Sequence, residues 1–388
     1  MEDQEVKQED LNPLYVMRVS SCVLCIQHGT GDEFYEKLME ALAKDSRVKD
    51  LVRPHPARVK INHTVFPAAG LPDVQMDIAD RVNPDIHFHC PEIAPPIRFQ
   101  IQVPRRLQPQ PLGEREVPTD EYWVEWNGIT LATLWRHEGS DDPYGYSGGL
   151  SAINIVSEAA ESADLDTHVL PCGPNCDYPY THTDLVLIGG DSDGFSIIPT
   201  DHGVAFIELP SLDISPDRAL SYVMREVSFL AKCYAAVRFE SAAMAATESA
   251  ARRHLTELLT LLSTQASSRP RLKLSYLRAR WANRRWRSKG QHIITRLWLA
   301  MVAIEARRQQ WNNLDFIYKS SAGEKGLEAV FRPEYSESEN IVKNLDVEAV
   351  VSATEHASAH LGTKSMAFVT MVAALTSAVI AAIVTLLK

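Results

Sequence analysis

From Asp217 to Leu262 the chain carries neither glycine nor proline. Apolar or small residues recur there at Leu220, Val223, Val227, Leu230, Tyr234, Val237, Met244, Ala251, Leu255, Leu258 and Leu262, interrupted only by Ser241 and Glu248. A strand cannot use that spacing, because its faces alternate at every second residue. The stretch therefore predicts one continuous helix about 70 Å long, at roughly 1.5 Å per residue. Ser215-Pro216 supplies its start, since serine caps helices and proline fits the first helical position. The sequence SSRP then turns the chain. A second helical pattern runs from Leu272 to about Tyr318, with Gly290 as its weak point. Two long helices across a short turn predict an antiparallel, coiled-coil-like hairpin over residues 214–320.

The preceding residues have a different character. Residues 1–12 read as a disordered acidic lead. Residues 13–213 read as an α+β domain in which short β-branched and apolar runs such as LYVMRVSSCVLCIQ, RVKINHTVF, DIHFHC, IRFQIQV and TDLVLIGG predict strands. EYWVEWNGITLATLW predicts a hairpin turning at Asn127-Gly128, a pair that favours positive φ at both positions. GDEFYEKLMEALAKD and SGGLSAINIVSEAAESA predict the two helices of the domain. The six cysteines are few for 388 residues, and the acidic start lacks a secretory signal, so reduced thiols and a cytosolic head are expected.

Charge is segregated along the chain. Residues 137–217 hold no lysine or arginine and fifteen acidic residues, whereas residues 218–319 hold nineteen basic and six acidic residues. Signs parted in this way suggest that the two regions meet. The densest basic run places Arg278, Arg280, Arg284, Arg285, Arg287 and Lys289 with Trp281 and Trp286 on one helix. Its two apolar stripes predict packing against two partners. The basic residues suit an acidic protein surface or anionic lipid headgroups. Nucleic acid is the weaker candidate, because no helix-turn-helix or RNA-binding signature accompanies them.

The chain ends in an uncharged run, Met366 to Leu387, bracketed by Lys364 and Lys388. A helix of that length matches the hydrocarbon thickness of a bilayer, about 30 Å, and predicts a single C-terminal membrane span over 366–387. Thr370, Ala374, Ala378 and Ala382 repeat every fourth residue, a small-residue face that favours association of such helices. Residues 321–344 read as a linker, and residues 345–388 as a helix running into the span. In outline only, the order of parts resembles that of the CorA-type magnesium channels. With one span in place of two and no Gly-Met-Asn motif, the resemblance implies no transport function.

Three constellations are candidates for chemistry. Gly145-Tyr146-Ser147-Gly148-Gly149 has the form of a nucleophile elbow, with Asp184 and His202 following in the order of a hydrolase triad. A strand should precede such an elbow, but SDDPY stands there, and a glycine-rich turn before a helix explains the residues as well. Cys172, Cys176 and His182 with one distant ligand make a candidate zinc site, against the alternative of a Gly-Pro turn with free thiols. No other cofactor is expected. Cys22 and Cys25 lie at odd separation in a strand and read as core residues.

These readings give an α+β N-terminal domain, a long helical hairpin and a single transmembrane helix. The function they suggest is a tail-anchored membrane protein of bacterial type, more a non-enzyme than an enzyme. Its cytosolic domain would sense a ligand or protein, and its hairpin would couple that state to a self-associating span in a homo-oligomer. A membrane-anchored serine hydrolase using Ser147 and a static scaffold recruiting an acidic partner are the alternatives.

Overall fold

A computed structural model describes residues 13–26, 33–54, 58–67, 87–109, 117–137, 149–170, 179–190, 195–200, 203–267, 276–323 and 326–361. The chain divides into two compact units, each described by itself. The first comprises the described residues up to Phe66, from His87 to Phe239 and from Asn312 to Asn340. The second comprises Glu240–Trp311 and the described residues from Ile341.

The first unit is built on an eight-stranded mixed sheet. Its strands are β1 (Pro13–Ser20), β3 (Val48–Val52), β6 (Ile97–Gln102), β7 (Glu121–Trp126), β8 (Leu131–Arg136), β10 (Asp184–Gly189), β11 (Ile197–Pro199) and β12 (Val204–Leu209). They lie in the order β11-β12-β10-β1-β8-β7-β6-β3. Pairing is antiparallel except between β10 and β12. Two smaller sheets pair β2 (Cys22–Cys25) with β9 (Asp166–Val169), and β4 (Lys60–Pro67) with β5 (His87–Ala94).

Alternation along the strands sorts side chains to two faces. Tyr122, Val124 and Trp126 of β7 join Ile97, Phe99 and Ile101 of β6 in one core with α1 (Glu33–Lys44) and α2 (Leu150–Ser162). Trp126 is fully buried, and its indole N–H donates to the Cys22 carbonyl at 2.8 Å. The intervening residues, Arg98 of β6 and Glu125 of β7, therefore point to the other face, where the first turns of α3 (Pro216–Ser267) meet them through Ser221.

The turn between β7 and β8 is closed by a side chain. Asn127 Oδ1 accepts the N–H groups of Ile129 and Thr130 at 2.9 and 2.7 Å. Only Gly128 takes positive φ, where the sequence suggested it at both positions. A Cβ at Gly128 would sit 2.2 Å from the Pro91 carbonyl oxygen, so the glycine is required by close approach as well as by φ.

α3 is a single helix of 52 residues, and α4 (Tyr276–Gly323) runs through Gly290 without a break. In the second unit the two are antiparallel, as the pairs Glu240–Arg307 and Glu257–Lys289 record. Ala250, Ala251 and Leu258 of α3 pack there with Ile293, Leu297 and Ala300 of α4.

Within residues 321–344, where a linker is expected, the chain forms α5 (Glu328–Lys343) with Pro333 inside it. Proline lacks the N–H that would bond the carbonyl four residues earlier, that of Ala329. The Thr183 hydroxyl donates to that carbonyl at 3.0 Å, so the helix continues with its backbone satisfied.

The expectation of a C-terminal membrane anchor is corrected. Among the described residues no helix is long and apolar enough to cross a membrane. The last described helix, α6 (Val347–Leu361), is amphipathic: Val350 and Ala357 enter the core of the second unit, while Glu355 and His356 are exposed. Residues 366–387, with Thr370, Ala374, Ala378 and Ala382, lie outside the described residues. The fold class is thus an α+β part followed by long and shorter helices. The reading as a tail-anchored, single-pass membrane protein located at a membrane falls with the anchor.

Candidate functional site

On the second face of the sheet, the start of α3 stands over a cavity of about 750 Å³. Small-molecule sites have volumes of roughly this size, about 300–1,000 Å³. From α3, Asp217, Arg218, Ser221, Tyr222 and Arg225 line it at helical spacing, with Ile214 just before the helix. From the sheets come Glu92, Arg98, Glu125 and Asn127, with the cis Ala94-Pro95 bond at its edge.

Arg98 and Glu125 are directly opposite each other on β6 and β7. Arg98 Nε donates to Glu125 Oε2 at 2.7 Å, and the Ser221 hydroxyl, whose single proton is shared with the Asp217 carbonyl at 2.7 Å, reaches the same oxygen at 3.2 Å. Glu125 is 3% exposed, and burial raises its carboxyl pKa against the lowering effect of Arg98. Among the described residues nothing bonds Glu125 Oε1 or the two terminal nitrogens of Arg98.

The cavity carries equal numbers of acidic and basic side chains, so availability decides its character. Lys232 Nζ holds Glu92 at 2.6 Å. Asp217 lies in the first turn of α3, where the helix dipole favours a carboxylate. Glu92 thus has a side-chain partner, whereas Asp217 is exposed and makes no ion pair among the described residues. Arg218 is exposed and makes no ion pair among the described residues. Arg225 is exposed, pairs with its chain neighbour Glu226 at 3.1 Å and stands over the Tyr222 ring. The open groups of the cavity are therefore the terminal nitrogens of Arg98 and the Arg218 guanidinium as donors, with Asp217 and Glu125 Oε1 as acceptors. Tyr222 also packs against Phe195, with ring centroids 5.8 Å apart.

The residues singled out from sequence lie elsewhere. Asp184 is buried on β10, and its carboxylate takes Arg18 in two bonds, from Nε at 2.6 Å and Nη2 at 2.9 Å. That pairing occupies the carboxylate a triad would use to orient a histidine. Ser147 and His202 lie outside the described residues. The His182 backbone N–H donates to Glu334 Oε1, while Cys172 and Cys176 lie outside the described residues. Among the described residues no three histidine, cysteine or acidic side chains gather to hold a metal.

Cys22, Cys25 and Cys90 are buried free thiols, and burial pushes the Cys22 thiol up to about 12. Lys289 is exposed and pairs with Glu257 at 2.8 Å. Arg278 and Arg280 lie in α4, as do Arg284, Arg285, Arg287, Trp281 and Trp286; the side chains of these seven lie outside the described part.

Sequence reasoning missed Arg98 and Glu125. Their signal was present: each is a charged residue on the polar phase of an alternating strand, in IRFQIQ and EYWVEW. Their pairing depends on register between β6 and β7, which the alternation alone does not give. Comparison with family models, with curated proteins and with solved structures returned no match.

Proposed function

We propose that the α+β unit binds a small molecule through an anionic group, carboxylate or phosphate, held by Arg98 with help from Arg218 and Arg225. The observation that carries this reading is the open fork of Arg98, fixed at Nε by Glu125 on the wall of a cavity of ligand size. A guanidinium held in this way presents two parallel donors and suits planar or tetrahedral oxyanions. Arg218 lies in the first turn of α3, whose backbone N–H groups lack intrahelical partners and also favour negative charge.

Thermal melts of the full chain with inorganic phosphate, succinate and adenosine 5′-monophosphate test the reading. At least one should raise the melting temperature in a concentration-dependent way. Arg98→Ala and Arg218→Ala should each weaken that shift. Equal shifts in wild type and both variants would place anion binding elsewhere.

A further inference from the structure

We propose that the cavity recognises an α-amino acid group, with Arg98 taking its carboxylate and Glu125 Oε1 taking its ammonium. The proposal rests on the reading of the cavity as an anion site and adds what lies beside the anion. Three observations carry it. Glu125 is almost completely buried, lines the cavity and has one oxygen bonded to Arg98 and Ser221 while the other has no partner among the described residues. Arg98 likewise bonds through Nε only, leaving its terminal nitrogens as donors. The two residues are direct cross-strand neighbours, so their open groups are only a few ångströms apart, on the order of the ~5 Å between Cβ atoms of such a pair.

That separation decides the chemistry. A ligand that satisfies both groups must carry an anion and a hydrogen-bond donor on neighbouring atoms. An α-amino acid does so, because its carboxylate and ammonium share one carbon. A nucleotide offers beside its phosphate only the neutral ribose hydroxyls, not a cation to match the Glu125 carboxylate. The remaining volume accommodates the side chain, or a larger group attached through that side chain, since an α-peptide bond would consume the ammonium or the carboxylate. Asn127 lies at the same wall, and Arg218 and Arg225 come from the α3 side.

Glu125→Gln is informative because the geometry dictates its orientation. The amide oxygen must face Arg98 Nε–H, which leaves the NH2 group turned to the cavity. A donor then meets the ammonium, another donor.

Calorimetric titration of the full chain with the common amino acids, their N-acetyl derivatives and inorganic phosphate tests the assignment. Acetylation keeps the carboxylate and removes the ammonium. At least one free amino acid should bind about tenfold or more tighter than its N-acetyl derivative. Glu125→Gln should abolish that preference. If the N-acetyl forms bind as tightly as the free ones, or only phosphate binds, the role of Glu125 is overturned while the anion reading stands. If no probe binds, both are overturned. The wild-type comparison needs no variant, so misfolding of Glu125→Gln cannot shield the proposal.

Discussion

Each unit buries an arginine–carboxylate pair, and the two are built differently. In the α+β unit Arg18 and Asp184 come from strands 166 residues apart. Their side chains are 2% and 10% exposed, they share two bonds, and the guanidinium stands 5.5 Å from the Trp135 ring centroid. In the helical unit Arg307 donates to Glu240 at 3.1 Å, and its side chain keeps 15% of its exposure. The surrounding packing differs as well. Trp126, Trp135 and Tyr122 fill the first core, whereas alanines at 250, 251 and 300 bring the helices of the second together. A wide sheet fixes remote strands with specific polar contacts and large rings. A pair of long helices needs close backbone approach, which small residues allow.

Removing a carboxylate should separate the two units most sharply. Asp184→Ala leaves Arg18 charged and dry and should cost about 3–5 kcal/mol in chemical denaturation. Glu240→Gln keeps an acceptor for the partly exposed Arg307 and should cost less, about 1–3 kcal/mol. Equal losses would break the comparison. Overpacking should act on the helical unit instead. Ala300→Leu should destabilise it by about 1–3 kcal/mol, because neither helix can retreat without opening its partner's core. Hydrogen exchange should then rise in Glu240–Trp311 before it rises in the sheet.

Burial raises the Glu334 carboxyl pKa, and Oε2 is buried with no hydrogen-bond partner. A raised folded pKa means that its stabilising contribution is full below the unfolded value of about 4.3 and is lost as pH rises through the folded value. Glu334→Gln keeps an acceptor for the His182 N–H and removes the titration. The variant should therefore gain stability relative to wild type between pH 4 and pH 7. A difference that stays constant across that range would contradict this. The smallest effect belongs to Lys289→Ala. Its pair with Glu257 is exposed, so the unfolding free energy should change by less than about 1 kcal/mol in chemical denaturation.

The same contrast explains what was legible in the sequence. The Leu220–Val223–Val227–Leu230 spacing reports α3 because helical neighbours are near in sequence. Gly290 is the weak point of the second helical pattern and residues 321–344 read as a linker, yet Gly290 and Pro333 both lie inside helices. At Pro333 the compensation comes from Thr183, 146 residues away from the carbonyl it bonds, and no local rule reports such a donor. Asn127-Gly128 announced a turn, but the closing bonds from Asn127 Oδ1 set its shape. The alternation of IRFQIQ and EYWVEW put Arg98 and Glu125 on one phase of their strands. It could not say that α3 would cover that phase, nor that register would set one against the other. The terminal apolar run was the most conspicuous feature, and the anchor read from it is not supported by the described helices.

Arg98 beneath α3, with Arg218 and Arg225 on it, is proposed to bind an anion. Crystals of the full chain grown with selenate would test it most directly, because selenium scatters anomalously. The account predicts an anomalous peak within hydrogen-bond distance of the Arg98 terminal nitrogens, weakened in Arg218→Ala. Peaks only at other surface arginines, with the cavity empty of anion, would contradict it.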